Sequence, residues 1–319
     1  DDAVANGSHI HSNSWGSPVA GQYTSNSMQT DYSARNHTGL LILFSAGNSG
    51  TDANSNGEID DDSLGAPATS KNVLTVGASE NDRGTQISSE WGHWWPGEFP
   101  ADPINSDKMA NHTEGMAAFS SRGPVDDGRM KPDISAPGTF ILSAKSRSTS
   151  STGWGAHSNS DYTYMGGTSM STPLGASITA VIQQAVQDGW FTNGSGGFVP
   201  SGSLLRSLLA LSSESMYGGQ QGGENVGPAP DSLQGWGRPD LANLIDFQNN
   251  TSRNIWIHDS YMMDEIQRLE LVNEWLMGDG SRPLEQMIGS RWNGSGAAGP
   301  FLKQGDVFSW NLSLVPGND

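Results

Sequence analysis

Apolar segments between polar turns predict the strands of this chain. Residues 40–44 are leucine, isoleucine and phenylalanine without interruption, the pattern of a parallel strand that is buried on both faces. Three further segments also predict strands, over residues 8–14, 73–76 and 140–144. Together they indicate a sheet whose main strands run parallel.

Helical segments alternate with these strands. Residues 174–187 are small and apolar, with no charged side chain before Asp188, which predicts a helix buried in the core. Further helices are predicted over residues 27–36, 203–211 and 241–247. This order of elements indicates an α/β domain that closes at residue 247.

The remainder of the chain has a different pattern. Residues 249–300 show no clear periodicity, whereas residues 303–314 alternate polar and apolar side chains, as in the first strand of a β-sandwich. We therefore expect one domain over residues 1–247. Residues 248–319 are expected to be a linker and the beginning of a truncated second domain.

A serine stands at the start of the predicted central helix. Residues 167–173 read Gly-Thr-Ser-Met-Ser-Thr-Pro, with Pro173 expected in the first helical turn. Free N–H groups and the positive end of the helix dipole lie beside Ser169, which suits a nucleophile whose attack creates an oxyanion. Gly166 and Gly167 leave room for another backbone to approach closely. Taken alone, the motif is equally typical of an ordinary Ser/Thr helix cap.

An asparagine follows the strand predicted over residues 40–44. Asn48 lies in the turn Ser-Ala-Gly-Asn-Ser-Gly, at the carboxyl end of that strand, where open α/β sheets place ligand-contacting groups. A single asparagine in a glycine-containing turn is normally a turn residue. Two further segments favour a functional reading: Phe-Ser-Ser-Arg-Gly-Pro at 119–124 and Lys-Pro-Asp-Ile-Ser-Ala-Pro-Gly at 131–138.

In this order, these four segments resemble those of the subtilisin-like serine peptidases, the subtilases. The resemblance runs from about His9 to about Leu241 and implies a three-layer parallel-sheet domain, with Ser169 as nucleophile and Asn48 as oxyanion donor. The alkaline subtilases that carry a C-terminal β-sandwich look most similar. The substrate-binding residues that the resemblance implies, besides Gly167, are the edge segment Asn13, Ser14, Trp15 and Gly16 and the pocket wall Gly65, Ala66 and Pro67.

The chain also departs from the family pattern. Subtilases need an aspartate in a D-[ST]-G turn and a histidine in an H-G-T-H helix start, both before the oxyanion asparagine. The residues before Asn48 contain neither motif, and none of the seven histidines has the required neighbours. Truncation is the simplest interpretation, since the chain begins without an initiator Met. The chain alone is therefore expected to be inactive.

Oxygen-bearing side chains recur at regular spacing shortly after Asn48. They belong to Asp52, Asn54, Asn56, Glu58 and Asp60. Gly57, at the sixth position, supplies the sharp turn of loops that wrap around calcium. Ser63 occupies the twelfth position, where such loops carry a bidentate acid, and a solvated acidic surface loop is the alternative. Calcium is the expected cofactor, and it would rigidify the oxyanion region.

Composition fits an extracellular protein. The net charge of −18 and a pI of about 4.5 argue against nucleic-acid binding, which requires a basic face. The chain has no cysteine and no apolar run of membrane-spanning length. We expect a secreted protein whose partners are polypeptide substrates and, in addition, a propeptide or inhibitor.

Two groups of side chains allow more than one interpretation. Trp91, Trp94 and Trp95 lie in a long loop, residues 90–113, and either anchor that loop or line a substrate cleft; anchoring is favoured. His9 and His11 share one strand face, and packing or hydrogen bonding is favoured over a metal pair.

Three functions compete. The first, implied by the resemblance, is a serine endopeptidase that cleaves peptide bonds through an acyl-enzyme. The second is a non-catalytic subtilase-like module that binds extended peptides or a surface. The third is a serine-carboxyl peptidase, which ranks last because it expects an acidic residue where this chain has Asn48.

Overall fold

The computed structural model describes residues 2–259, except residues 85, 193–196, 222–223, 254, 256 and 258. The helices are α1 (Asp2–Ala5), α2 (Ser25–Asn36), α3 (Trp91–Trp94), α4 (Thr168–Gln187) and α5 (Gly202–Ser212). The longer strands are β1 (Ile10–Asn13), β3 (Leu41–Ser45), β5 (Leu74–Ser79), β6 (Ile134–Pro137), β7 (Ile141–Ala144) and β9 (Tyr162–Met165). The two-residue strands are β2 (Ser17–Pro18), β4 (Gly65–Ala66), β8 (Gly155–Ala156), β10 (Ser213–Glu214), β11 (Gln220–Gln221), β12 (Glu224–Asn225), β13 (Arg238–Pro239), β14 (Ile245–Asp246) and β15 (Thr251–Ser252).

Four parallel strands form the central sheet, in the order β1-β3-β5-β6. The strands predicted at residues 8–14, 40–44 and 73–76 correspond to the first three of these. β6 was not predicted, since its sequence, Ile-Ser-Ala-Pro, contains no apolar run. The strand predicted at residues 140–144 is β7, which lies in a separate antiparallel sheet with β8 and β9.

The apolar run in β3 is buried on both faces, as its pattern predicts. Leu41 and Leu43 belong to the cluster that contains α4 and α5 side chains, whereas Ile42 and Phe44 belong to a cluster packed against residues of α1 and α2. Alternate side chains of a strand point to opposite faces, so this division places helices on both sides of the sheet. The result is a three-layer α/β domain.

Helix α4 packs closely on the sheet through a glycine. A Cβ atom at Gly175 would lie 3.4 Å from Val76, 3.6 Å from Leu43 and 3.7 Å from Ile134, one contact on each of three neighbouring strands. The absence of a side chain therefore lets the helix axis approach the strands. The helix that the sequence predicts at 174–187 is confirmed, but it is buried on one face only, since Val181 is 39% exposed.

The start of α4 differs from the expectation. The helix begins at Thr168, six residues before the predicted start, and Pro173 lies in its second turn rather than its first. Proline has no N–H to donate to the carbonyl of residue 169. The helix tolerates this because the hydroxyl of Ser14 donates to that carbonyl instead, over 3.0 Å.

The helix predicted over residues 241–247 is wrong beyond its first turn. Residues Leu241–Asn243 form a single 3-10 turn that the Asp240 carboxylate caps by accepting from the Ala242 N–H. The chain then enters the β14–β15 hairpin, and the carbonyl of Leu244 accepts from the N–H of Arg253. Pairing within this hairpin prevents the helix from continuing.

The chain after residue 247 still contacts the sheet domain. The Ser252 N–H donates to the Trp190 carbonyl, and the Asp259 carboxylate accepts from the Ser201 N–H at the start of α5. The division of the chain at residue 247 stays a prediction. The strand expected at residues 303–314 lies outside the described residues. Within the described part of the chain, no helix is both long and apolar enough to span a bilayer.

Candidate active site

The candidate nucleophile lies at the carboxyl edge of the parallel sheet. Ser169 is the second residue of α4, is half-buried, and follows Gly167, which is the N-cap of the helix. Ser14 and Asn48 follow the carboxyl ends of β1 and β3, so they reach the same edge. Three elements that are distant in sequence thus meet at the start of one helix.

Thr168 determines the orientation of the Asn48 amide. The backbone N–H and the hydroxyl of Thr168 both lie 2.9 Å from the Asn48 side-chain oxygen. A backbone N–H only donates, so the atom that it contacts is the carbonyl oxygen and not the amide nitrogen. Among the described residues, nothing accepts from the Asn48 Nδ2 group. The amide nitrogen is therefore a free donor beside the nucleophile.

Gly167 has no side chain, and this leaves an open space next to the Asn48 amide nitrogen. It has φ +133°, and a Cβ atom there would lie 3.3 Å from Asn48 Nδ2 and 3.7 Å from the backbone nitrogen of Ser169. A side chain would occupy the space between the two nitrogens. The positive φ and the empty space both require glycine at this position. Two N–H donors beside one open space can together bind an oxyanion.

Ser14 and Ser169 contact each other in both directions. The Ser14 hydroxyl donates to the Ser169 carbonyl at 3.0 Å, and the Ser169 hydroxyl donates to the Ser14 carbonyl at 3.4 Å. Within residues 2–259, as far as they are described, this carbonyl is the hydrogen-bond partner of the Ser169 hydroxyl, and no histidine takes that place. A carbonyl accepts a hydrogen bond but does not accept the proton at neutral pH, so the described residues hold Ser169 without activating it.

The two histidines of β1 have partners of their own. His9 Nδ1 lies 3.1 Å from the carbonyl oxygen of Gly39, and His11 Nδ1 accepts from the side-chain amide of Asn13 at 2.8 Å. They engage different groups, in keeping with hydrogen-bonded histidines. Neither makes a hydrogen bond to Ser169.

The edge segment and the pocket wall are neighbours in space. Ser17 pairs with Ala66 in the antiparallel β2–β4 ladder, and a Cβ atom on Gly16 would lie 2.9 Å from the Ala66 carbonyl oxygen. Gly65, Ala66 and Pro67 are buried, whereas Ser14, Trp15 and Gly16 are exposed. The exposed segment is thus accessible to a peptide, and the buried segment supports it from behind.

The side chains of Asn13 and Trp15 differ in burial and in role. The Asn13 amide is buried and donates to the Leu43 carbonyl at 3.2 Å, while its oxygen accepts from the Trp15 indole N–H at 3.2 Å. The Trp15 ring packs edge-on against Phe44 yet remains 58% exposed. Asn13 therefore fixes the end of β1, and Trp15 offers an apolar surface to solvent.

A pocket of about 280 Å³ borders Asn48 and Gly167. Its aromatic walls are Trp95, Phe99, Phe119 and Trp154. The Trp154 ring covers Gly166, because a Cβ atom on that glycine would lie 2.1 to 2.3 Å from three of its ring atoms. Residues 13–16 and 65–67 do not line this pocket, so it is separate from the edge segment and its wall. Sequence reasoning missed Trp154, which lies outside every motif.

The tryptophans of the 90–113 loop both anchor it and line this pocket. Trp91 is fully buried and stacks on Trp95, with ring centres 6.0 Å apart. Trp94 and Trp95 are half-buried and lie 5.4 and 5.6 Å from the Trp154 ring centre. All three tryptophans anchor the loop, which was the favoured interpretation, and Trp95 also lines the pocket.

A buried carboxyl group fastens the end of the same loop. The Glu80 side chain is 1% exposed and accepts from the backbone N–H groups of Asn111 and His112. Burial raises the pKa of Glu80 well above its ordinary value, and the Asp107 carboxylate raises it further, against the effect of the two N–H donors. Burial of Glu80 therefore opposes its ionisation in the folded protein.

The loop after Asn48 folds around its own oxygen atoms. Both carboxylate oxygens of Asp52 accept from backbone N–H groups, those of Asn56 and Gly57, at 2.9 Å. Asp60 accepts from the Asn54 amide at 2.8 Å, and the Asn56 side chain accepts from the Glu58 N–H at 2.9 Å. Gly57 has φ +86°, which permits the sharp turn.

This donor set fits a hard cation. Carboxylate and amide oxygens are the ligands that calcium prefers. Asp52, Glu58 and Asp60 do not themselves form an acidic cluster, since no three acidic or histidine side chains of the described residues converge enough to hold a metal. Calcium binding here would require the oxygens of Asn54 and Asn56 as well.

Known proteins resemble this chain over much of its length. It is 27% identical over 317 residues to the serine protease/ABC transporter B family protein tagB of Dictyostelium discoideum, covering 79% of this chain and 16% of that protein. It is 33% identical over 152 residues to the serine protease AprX of Bacillus subtilis (strain 168), covering 47% of this chain and 27% of AprX. The chain thus spans between about a sixth and a quarter of these relatives.

Solved structures resemble it as well. The Prenylagaramide maturation protease PagA superimposes with a TM-score of 0.45 at 20% identity, covering 76% of this chain and 62% of that chain. The model of the subtilase family, Peptidase_S8, matches residues 1–237, which include Ser14, Asn48 and Ser169. The chain therefore belongs to the subtilase family.

Proposed function

We propose that this chain carries the nucleophile, the oxyanion site and the substrate-pairing edge of a serine endopeptidase. The Ser169 hydroxyl oxygen attacks the carbonyl carbon of a peptide bond, and its proton passes to a histidine base. The carbonyl oxygen becomes an oxyanion, the amine leaves with a proton, and water later releases the acyl group. In a polypeptide that also supplies the H-G-T-H histidine and the D-[ST]-G aspartate, these steps form a complete cycle.

One observation carries the proposal. Asn48 Nδ2 and the Ser169 backbone nitrogen both border the space that Gly167 leaves open, at 3.3 and 3.7 Å from its missing Cβ position. Thr168 holds the Asn48 oxygen, so the nitrogen is turned toward this space without a partner among the described residues. Donors positioned before the reaction stabilise the charge that develops, without reorganisation.

Substrate would occupy two surfaces around Ser169. The acyl side pairs as an extended strand along the exposed segment Asn13–Gly16, above the wall Gly65–Pro67. The part of the substrate after the cleaved bond continues toward the aromatic pocket that Trp95 and Trp154 line. No residue of the segment Asn13–Gly16 lines this pocket. The pocket is apolar enough to accept a large side chain after the cleaved bond.

A non-catalytic peptide-binding module is the second candidate. The Ser169 hydroxyl rests on a carbonyl rather than a base in the described part of the chain, which is the observation that favours it. The edge segment and the wall would serve peptide binding without cleavage. Turnover separates the two candidates.

Labelling with a fluorophosphonate tests the proposal, because this probe reacts with an activated serine. The matched samples are the 319-residue chain, a polypeptide that joins it to both missing motifs, and the Ser169→Ala variant of each. We expect labelling at Ser169 in the joined polypeptide and almost none in the 319-residue chain. Labelling of the 319-residue chain at Ser169 would place a base within these residues. A joined, folded polypeptide that binds peptide but stays unlabelled would establish the binding module.

Calcium and an extracellular location extend the proposal. The loop from Asp52 to Asp60 would hold calcium through Asp52, Asn54, Asn56, Glu58 and Asp60 and would stiffen the segment that follows Asn48. A site built partly from asparagine amides suits a compartment rich in calcium, because affinity falls as charged ligands are replaced by neutral ones. We therefore extend the proposal to a secreted protein that acts on polypeptides outside the cell and has a propeptide or inhibitor as a further partner.

A further inference from the structure

A cavity of about 790 Å³ opens at the edge of the sheet where the parallel strands begin. Leu74 and Ile134, the first residues of β5 and β6, line it. Ser14 and Asn48 lie at the other edge of the sheet, because they follow the last residues of β1 and β3. A rise of about 3.3 Å per residue over four to six residues separates the two edges by roughly 13–20 Å. The cavity is thus distinct from the candidate active site.

Positive charge is concentrated in this cavity. Its basic lining residues are Lys71, Arg129, Lys131 and Arg206. The whole chain has 16 lysines and arginines against 34 acidic residues, and four of the sixteen line this one cavity. Among the described lining residues, the acidic one is Asp133. Several like charges at a partly enclosed surface attract anions.

Two of the four cations have carboxylate partners. Lys131 Nζ lies 2.5 Å from the Asp133 carboxylate, and Arg129 Nε lies 2.9 Å from that of Asp127. Arg129 keeps one buried nitrogen, Nη1, that has no hydrogen-bond partner in the described part of the chain. Two carboxylates therefore balance the two inner cations, and Arg129 keeps one unsatisfied donor.

The other two cations have no carboxylate partner. Within the described ranges, no acidic side chain lies within 4.0 Å of the charged groups of Lys71 or Arg206. Arg206 Nη1 donates to the Lys71 backbone carbonyl at 2.9 Å, and Lys71 Nζ lies 5.2 Å from the centre of the Tyr23 ring. Both residues line the cavity, and the Asp127 carboxylate acts on Lys71 only at longer range.

The cations are close enough to affect one another. Burial lowers the pKa of Lys131 below its ordinary value; Asp133 opposes this effect, and the positive charges of Arg206 and Arg129 add to it. A bound anion would relieve this repulsion. The lining of the cavity also includes apolar surface, since Trp236 is 45% and Leu211 is 58% exposed.

We propose that this cavity binds an acidic peptide segment. Its carboxylates lie against Lys71 and Arg206, and an apolar side chain beside them covers Leu211 and Trp236. The cavity volume is in the range of sites that hold several side chains. A long polyanion such as nucleic acid is disfavoured because the net charge of −18 repels it outside the cavity. The site is a second peptide-binding surface on the face opposite Ser169, and its existence does not depend on catalysis.

Fluorescence polarisation tests this with a labelled peptide, acetyl-Glu-Leu-Glu-Leu-Glu amide, and the full chain in the Ser169→Ala form, which cannot cleave it. The double variant Lys71→Gln/Arg206→Gln is expected to weaken binding by about tenfold, the effect of losing two partly exposed ion pairs. A peptide in which glutamine replaces each glutamate should bind the protein with intact Lys71 and Arg206 as weakly as the acidic peptide binds the double variant. Trp236→Phe should remove the change in tryptophan fluorescence that accompanies binding.

The matched control is Lys145→Gln/Arg147→Gln, which removes the same charge from a surface outside the cavity. Equal weakening by both double variants would show attraction by net charge alone and overturn the proposal. Inorganic sulfate that binds as tightly as the peptide would overturn the peptide assignment. If the first double variant fails to fold, Lys71→Gln alone replaces it, and unchanged binding by that variant counts against the site.

Discussion

The hydroxyl of Ser14 donates a hydrogen bond to the backbone carbonyl of Ser169, 155 residues further along the chain, over 3.0 Å. In an uninterrupted α-helix this carbonyl would accept from the N–H four residues later. That residue is Pro173, which has no N–H. Ser14 therefore satisfies an acceptor that the helix leaves free, and it ties the edge segment to the candidate nucleophile.

Replacing Ser14 with alanine should destabilise the fold. The Ser169 carbonyl would lose its donor, and we expect the free energy of unfolding to fall by about 0.5–1.5 kcal/mol, the usual net contribution of one hydrogen bond. Urea unfolding followed by circular dichroism measures this. Ser12→Ala, on the exposed part of β1, makes the same chemical change without the bond to Ser169. Equal losses in the two variants would contradict the assigned role.

Asn48→Ala should lower kcat far more than it changes KM. In a polypeptide with a complete set of catalytic residues, loss of one oxyanion donor typically costs about 10² to 10³ in rate. Thr168→Val should cause a smaller fall, since it removes one of the two groups that hold the Asn48 oxygen and leaves the backbone N–H in place.

Thr172→Val is the control for the threonine change. Its hydroxyl donates to the Thr168 carbonyl one turn back and does not contact Asn48. Steady-state kinetics on a peptide substrate compares the three variants. A kcat for Asn48→Ala near that of the parent enzyme would exclude Asn48 as the oxyanion donor.

Chelation should lower the melting temperature if the Asp52–Asp60 loop holds calcium. A ligand that binds only the native state stabilises it by about 2.7 kcal/mol at a hundred times its Kd. Asp52→Ala combined with Asp60→Ala should abolish the response to chelator. Because Asp52 also accepts from the Asn56 and Gly57 N–H groups, the double variant should melt lower even without calcium.

The measured quantity is therefore the change in melting temperature on chelation, not the melting temperature itself. Asp61→Ala, an exposed acid beside the proposed ligands, serves as the control and should keep the full response. A double variant that still responds to chelator would place the calcium elsewhere.

Glu80→Gln should change how stability depends on pH. The pKa of Glu80 is raised in the folded protein, so the stability associated with its bound proton is present below its unfolded pKa of about 4.5 and is lost as pH rises through the folded pKa. Glutamine cannot ionise, so the stability of Glu80→Gln relative to the parent should rise with pH across that window. Thermal unfolding from pH 4 upward measures the difference, with Glu98→Gln, at an exposed glutamate, as control. A difference that is constant with pH would show that Glu80 does not titrate in the fold.

Oxidation of Met170 should inactivate the complete enzyme. Met170 follows Ser169 directly and is only half-buried, so we expect peroxide to reach its sulfur. The sulfoxide adds a polar oxygen beside the oxyanion space without requiring the helix to unfold. Met170→Ala should resist peroxide, whereas Met28→Ala, at an exposed methionine, should not. Peptide mapping of the sulfoxides accompanies the kinetics. Equal inactivation of the parent and Met170→Ala would assign the damage to another methionine.

The sequence alone determined the fold class and the identity of the candidate site. The uninterrupted apolar run of β3 indicates burial on both faces, and local composition was sufficient to predict it. The small apolar residues of α4 predicted the helix, although the structure buries only one of its faces. The motifs around Asn48 and Ser169 are each ambiguous alone, as a turn or a helix cap, and the candidate site followed from the order of the four segments that resemble those of the subtilases.

Tertiary structure decided the contacts between distant segments. The start of α4 at Thr168, with Pro173 inside it, depends on a hydroxyl 155 residues away, which no local pattern contains. The orientation of the Asn48 amide depends on Thr168, and the pocket beside it depends on Trp154 covering Gly166. The concentration of Lys71 and Arg206 at one cavity is likewise invisible in the chain. Each of these features arises from side chains that meet only when the strands and helices pack, and sequence spacing does not encode that proximity.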